Sequence, residues 1–227
     1  MTIDTVFHHL KQIIPPIDEL DEDSIYDSIE HPLEEAYKQG FFPYKFAIDN
    51  GASKVCIFIQ GVPEVIKIPL SSFEGETFRN AYTVHEEYEE NTWDYCRLEC
   101  HNYQEAKKHN LDSYFAREWL IGYLGNYPVY AQEKVLEMQE YLSINDEEFD
   151  EEKMTTRKQS AVDTCKRLNA NCFHPIWVAD FLEFYGEAEF KRLDNFIHEH
   201  SINDLRGANI GYLDGVPVLF DYSGFLE

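Results

Sequence analysis

Apolar residues near the amino terminus recur at helical spacing. Ile3, Val6, Phe7, Leu10, Ile13 and Ile14 share one face, and Pro15-Pro16 must end the run because proline cannot continue the backbone ladder. An acidic linker follows, Asp18 to Asp23, and the spacing then predicts a second helix over Ser28 to Gln39, closed by Gly40. From Tyr44 the period shortens to that of a strand. Three strands are predicted in quick succession, Tyr44 to Asp49, Lys54 to Ile59 and Glu64 to Leu70, joined by the turn signals Asn50-Gly51 and Gln60-Gly61.

Ser71 to Thr92 is polar and acidic and reads as a flexible insertion. Trp93 to His109 returns to helical spacing, with Cys96, Glu99, Cys100, Tyr103 and Ala106 on one face. Two more strands are expected at Tyr114 to Tyr123 and Pro128 to Glu133. The acidic run Asp146 to Glu152 reads as a solvated loop or helix face. Helices are expected over Thr155 to Leu168, Pro175 to Tyr185 and Glu187 to His200, the last with Phe190, Leu193, Phe196 and Ile197 inward. At the carboxyl end, Ile210 to Leu213 and Val216 to Phe220 flank Asp214-Gly215, a two-residue hairpin signal. The predicted class is α+β, an antiparallel sheet followed by helices and a hairpin, without internal repeats.

Composition narrows the function classes. The 227 residues are 44% hydrophobic and 15% aromatic, enough apolar area for a packed core. With 19 Lys and Arg against 43 Asp and Glu, the formal charge is −24, which repels phosphate backbones and anionic lipid. Direct nucleic-acid and membrane binding are therefore not expected. The acidity fits a basic partner, mimicry of nucleic acid, or plain solubility. Met1 to Leu10 lacks a basic segment followed by an apolar one, and the five cysteines match no C-x-x-C pattern, so free thiols and a cytoplasmic location are expected. Cys96, Cys100 and His101 could hold a metal, but packing of a helix accounts for them as well. Neither G-x-x-x-x-G-K-[ST] nor G-x-G-x-x-G occurs.

Candidate chemistry lies in the polar residues that interrupt apolar patterns. Lys67 stands within Val65-Ile66-Lys67-Ile68-Pro69, where a lysine ordinarily occupies a strand's exposed face. Glu99 lies on the apolar face of the next helix, where a carboxylate is costly unless paired. Together they suggest an ion pair that holds a phosphate. Farther on, Asp204-Leu205-Arg206-Gly207-Ala208-Asn209 places an Asp and an Asn five apart, and Asp221 closes the hairpin twelve residues after Asn209. Phosphoryl transfer uses such groups: one carboxylate to orient the acceptor hydroxyl, and an Asn and a second carboxylate to hold Mg²⁺.

With these motifs in this order the chain resembles the protein kinase fold, and most closely the compact kinase-like proteins of phages and bacterial effectors. The similarity covers roughly Lys45 to the carboxyl terminus. It implies a five-stranded antiparallel small lobe, residues 44–135, and a reduced helical lobe, residues 136–227, after a helical extension over residues 1–43. Gly51-Ala52-Ser53-Lys54 resembles a shortened glycine-rich loop, so Gly51 and Ser53 are expected against ATP phosphates. Val65-Ile66-Lys67 resembles the third-strand lysine motif, and Cys96-Arg97-Leu98-Glu99 the helix with its paired glutamate. Tyr130 to Val135 resembles the fifth strand and the hinge that hydrogen-bonds adenine, through Glu133 and Val135. Asp204 would be the catalytic aspartate, Arg206 a basic residue at the γ-phosphate, and Asn209 and Asp221 the Mg²⁺ ligands.

The resemblance implies an ATP- and Mg²⁺-dependent phosphotransferase acting on a Ser, Thr or Tyr of a protein, as a phage or effector protein acting on host factors. Departures are one glycine in place of three, Ile202-Asn203 in place of His-Arg before Asp204, and no peptide-binding helices after Asp221. Peptide recognition would then come from an activating partner, from the amino-terminal helices, or not at all. The alternative is a catalytically weak binding protein or inhibitor that keeps the fold and uses its acidic surface to engage another macromolecule. Small-molecule phosphorylation or nucleotidyl transfer fits the same groups.

Overall fold

The computed structural model describes residues 1–17, 20, 23–51, 53–70, 94–125, 127–137, 151–202, 205 and 209–223. Two units result: residues 1–101 with 117–134, and residues 102–116 with 135–226. The expected insertion Ser71 to Thr92, most of the acidic linker, and Asp146 to Asp150 of the acidic run lie outside the described residues, as do Asp204 and Arg206.

In the first unit, helix α1 (Ile3–Ile13) starts at Thr2, whose hydroxyl accepts the Thr5 N–H at 3.4 Å, and buries Ile3, Val6, Phe7 and Leu10. Ile14 leaves the helix ahead of the two prolines, and Ile17 then donates its N–H to the Leu124 carbonyl at 3.2 Å, covering an edge of the sheet. The second helix differs from expectation. It begins as a π-helical turn, Tyr26–Glu30, and becomes α-helical only as α2 (His31–Lys38). Pro32 has no N–H to offer the Ser28 carbonyl, and the ladder changes register beside it.

Five strands follow: β1 (Phe46–Asn50), β2 (Lys54–Ile59), β3 (Glu64–Pro69), β4 (Glu118–Leu124) and β5 (Tyr127–Glu133). They form one antiparallel sheet in the order β1-β2-β3-β5-β4. Between β3 and β4 runs helix α3 (Tyr95–Lys108). The fourth strand starts later than its pattern predicts, because Asp112–Tyr114 forms a 3₁₀ turn and only Glu118 enters the ladder. Three residues join β1 to β2, one fewer than the expected strand ends leave, because Asn50 belongs to β1; the Gly51 N–H bonds the Lys54 carbonyl at 3.0 Å.

Cross-strand register sorts the side chains into two faces. Val55 and Ile57 stand opposite Ile68 and Ile66, and with Val129 and Ala131 they join the residues of α1 and α2 in one hydrophobic core. The other face carries Lys54, Cys56, Lys67, Tyr130, Gln132 and Glu118. Because both faces are covered, Val65 to Pro69 are all buried, which an ordinary half-exposed strand would not allow.

The second unit holds α4 (Glu151–Leu168), α5 (Pro175–Tyr185), α6 (Glu187–Glu199) and a three-stranded sheet of β6 (Leu136–Glu137), β7 (Ile210–Leu213) and β8 (Val216–Leu219). Trp177, Phe181, Phe190, Leu193 and Phe196 centre its core. Asp194 on α6 is 1% exposed and accepts the Asn171 N–H at 2.8 Å and Lys191 Nζ at 2.7 Å, fixing the link between α4 and α5. The β7–β8 turn has positive φ at both central residues, 51° at Asp214 and 81° at Gly215, as the Asp-Gly signal requires.

At Gly122 the β4 ladder shifts register, φ is 151°, and an added Cβ would lie 2.5 Å from Phe7 Cε1 of α1. Gly122→Ala is therefore expected to strain both the bulge and the α1 contact, costing about 2 kcal/mol, or roughly 4–8 °C in Tm for a chain of this size. Thermal melting checks this; an unchanged Tm would show that α1 yields without cost.

Candidate functional site

Asp94 positions the helix that carries Glu99. Its Oδ1 accepts the Arg97 N–H at 2.8 Å, capping α3, while Tyr130 Oη of β5 donates to its other oxygen. Burial pushes the Asp94 carboxyl up, against the opposing effect of these two bonds. Tyr130 is the cross-strand partner of Lys67. The cap of α3 and the lysine of β3 are thus anchored to neighbouring residues of one sheet face.

On that face Lys67 Nζ donates to Glu99 Oε2 at 2.8 Å and to Glu118 Oε2 at 3.0 Å. The expected lysine–glutamate pair is present, but it belongs to a larger cluster. Lys54 Nζ pairs with Glu99 Oε1, and Gln132 Nε2 bonds Glu118 Oε2 at 2.9 Å and Glu99 Oε2 at 3.3 Å. Lys54 and Lys67 are each 4% exposed and Glu99 is 0% exposed. Desolvation of such charges is repaid only by close pairing, and each group here has it. Burial, then the neighbouring Glu99, pushes the Glu118 carboxyl well above its ordinary value. Its Oε1 is buried with no hydrogen-bond partner among the described residues.

Lys54, Glu118 and Gln132 escape sequence reasoning. Their only signal is register. Lys54 and Cys56 fall opposite Pro69 and Lys67, and Glu118 falls opposite Gln132, so all point to the face that α3 covers. Fixing that register needs the pairing of β2 with β3 and the true start of β4. Of the expected cofactor residues, Gly51 is exposed in the turn, and Ser53 is half-buried with its carbonyl accepting the Leu70 N–H at 2.9 Å. Glu133 ends β5, where its N–H donates to the Arg117 carbonyl at 3.0 Å and its Oε2 accepts the Arg117 N–H at 2.8 Å. Val135, half-buried, lies two residues beyond. Cys96 is buried on α3, and burial pushes its thiol well up.

The hairpin of the second unit explains the spacing of Asn209 and Asp221. Ile210 pairs with Leu219, and the Phe220 N–H donates to the Asn209 carbonyl at 2.9 Å, extending the ladder by one step. Asn209 Nδ2 then donates to the Asp221 carbonyl at 3.2 Å. Two four-residue strands and a two-residue turn thereby bring together residues twelve apart. Asp221 has φ 56°, a left-handed conformation rare for a residue other than glycine. Tyr222 fixes the chain beyond it: its ring is fully buried against Phe115, its hydroxyl donates to the Ala116 carbonyl at 2.8 Å, and its own carbonyl accepts Asn102 Nδ2 at 3.0 Å.

The oxygen donors of Asn209 and Asp221 suit a hard divalent cation such as Mg²⁺. Among the described residues no three His, Cys, Asp or Glu side chains converge as a metal cluster. No helix among them is long and apolar enough to cross a membrane.

Glu118 sets a pH dependence. Its carboxyl binds a proton more tightly folded than unfolded, so its contribution to stability is complete below the ordinary value of 4.5 and is lost as pH rises toward the folded value. Glu118→Gln, which mimics the protonated form, should therefore gain Tm relative to the wild type as pH is raised from about 5 to about 8. Paired melting curves across that range test it. A Tm deficit of the variant that grows with pH would show instead that Glu118 is ionised against Lys67. Comparison with protein-family models and with curated proteins finds no match for the chain.

Proposed function

We propose that the chain is an ATP- and Mg²⁺-dependent phosphotransferase of the protein-kinase-like type, acting on a hydroxyl group of a protein. One observation carries the reading. A lysine central to the third strand of an antiparallel sheet is bonded at 2.8 Å, out of solvent, to a glutamate on the helix that comes next among the described residues. A hydrophobic strand gains nothing in packing from such a lysine, and the group that needs a fixed ammonium is a phosphate. The hairpin adds support, since Asn209 and Asp221, the ligand pair this reading needs, are neighbours on a backbone held by hydrogen bonds.

On this reading Lys67, oriented by Glu99, binds the nucleotide phosphates, and the Gly51 and Ser53 turn lies over them. Backbone groups from Glu133 to Val135 receive adenine. Asn209 and Asp221 hold Mg²⁺, which supplies neutralisation of phosphate charge. Asp204 orients the acceptor hydroxyl, and Arg206 meets the γ-phosphate. The acceptor is a Ser, Thr or Tyr of a host factor, in keeping with a phage or effector protein. A second reading, a binding protein that keeps the fold, is favoured by the enclosure of Lys67 between two carboxylates.

Thermal melting with ATP, Mg²⁺ or both, for the wild type and Asp221→Asn, decides between them. Saturation at about 100 times the dissociation constant stabilises by roughly 2.7 kcal/mol, or about 5–10 °C. A shift that needs both ligands and disappears in Asp221→Asn supports the phosphotransferase, as does label transfer from γ-labelled ATP that Asp204→Asn abolishes. Identical curves in all conditions would leave the binding protein as the better reading.

A further inference from the structure

Helix α4 ends in a closed turn that folds the chain back over its own last residues. Asn169 is left-handed, with φ 49°; the Ala170 N–H bonds the Cys165 carbonyl at 2.9 Å, and the Asn169 N–H bonds the Lys166 carbonyl at 3.3 Å. The returning segment is pinned at its next residue, because the Asn171 N–H donates to the buried Asp194 carboxylate at 2.8 Å. Cys165 is 2% exposed, and its Sγ lies 3.7 Å from the Asn171 carbonyl oxygen, in the peptide unit that leads into Cys172. The Cys172 thiol is itself within hydrogen-bond reach of the Cys165 thiol. Two free thiols seven positions apart are therefore held side by side, by backbone contacts independent of either sulfur.

The two thiols differ in access. Burial, then the neighbouring Cys172, pushes the Cys165 thiol up to about 12, which makes it a poor first nucleophile. Cys172 is half-buried and is the sulfur of the pair that an oxidant meets first. Packing accounts for one small apolar side chain at the end of α4, but it does not ask for a second sulfur against the first. We propose that Cys165 and Cys172 form a reversible oxidation site, which a hydroperoxide converts to an intrachain disulfide. The Cys172 thiolate attacks the O–O bond and takes one oxygen as a sulfenic acid, while the other oxygen leaves and is protonated. Cys165 sulfur then attacks Cys172 sulfur: the S–S bond forms, the S–O bond breaks, and the hydroxyl leaves with the Cys165 proton as water. Two thiols lose two electrons and one peroxide gains them. A dithiol reductant reverses the step. The site is independent of the phosphotransferase reading, since no nucleotide residue takes part.

The test treats the intact, reduced wild-type chain with hydrogen peroxide, blocks the remaining thiols by alkylation and digests with trypsin. Cleavage after Lys166 and Arg167 separates the two cysteines. The expected product is a pair of peptides joined through Cys165 and Cys172, lighter than their sum by two hydrogen atoms, which dithiothreitol parts. Cys165→Ala should lose this product and let Cys172 take up a 1,3-diketone probe of sulfenic acid. Full alkylation of both thiols after peroxide would overturn the proposal. So would Cys172 joined to Cys56, Cys96 or Cys100, or carried on to a sulfinic acid without the cross-link. A folded Cys165→Ala chain whose Cys172 stays unlabelled would overturn the order of attack.

Discussion

The buried ion cluster on one face of the five-stranded sheet is the constraint to which the rest of the first unit answers. An ammonium group at Lys67 cannot be left unpaired out of water, so α3 must present Glu99 at one height and one rotation. A slip of one residue in β3 would send Lys67 into the apolar core beneath α1 and α2, and a slip in α3 would turn Glu99 away by about 100°. Neither can be absorbed by repacking, unlike a displaced methyl group. The cluster therefore specifies register more than it adds net stability. The Asp94 cap and the Tyr130 hydroxyl hold the same register from the start of the helix.

The opposite face shows why such a cluster is tolerable. Ile57, Ile66, Ile68 and Val129 pack in one hydrophobic cluster with the inward residues of two amphipathic helices, and that burial supplies the favourable free energy. One sheet thus separates an apolar side that stabilises from a polar side that specifies. Ile17 covers the β4 edge, which otherwise offers backbone groups to another chain.

The elements were legible in the sequence wherever one period ran uninterrupted: α1, β2, β3, α3, α5, α6 and the Asp-Gly hairpin stand where their patterns place them, within a residue or two. Lys67 and Glu99 could be read because each breaks an apolar pattern. Misreadings arose where the backbone departs from a simple period. The π-helical turn ahead of Pro32 and the 3₁₀ turn at Asp112–Tyr114 carry no periodic signature, and the latter shifted the start of β4. That shift hid Glu118, and Lys54 stayed hidden at the expected start of β2, because which face a strand residue joins depends on pairing and not on composition.

The hairpin illustrates a different economy. A left-handed conformation at a residue with a Cβ costs roughly 1 kcal/mol or more, and glycine would relieve it. Asp221 keeps the conformation because its neighbours determine the backbone: the Asn209 amide holds its carbonyl, and Tyr222 is tied down by ring, hydroxyl and carbonyl. Glycine at this position would keep the turn and lose the carboxylate. The −24 charge does not argue against an anionic ligand for such a site, since charges on the solvated surface are screened beyond about 8 Å at physiological salt. Buried charges act on one another at contact distance, where screening is least. In so acidic a chain the enclosed positive groups Lys54 and Lys67 are held at that distance by the Glu99 carboxylate, which the surface charge does not reach.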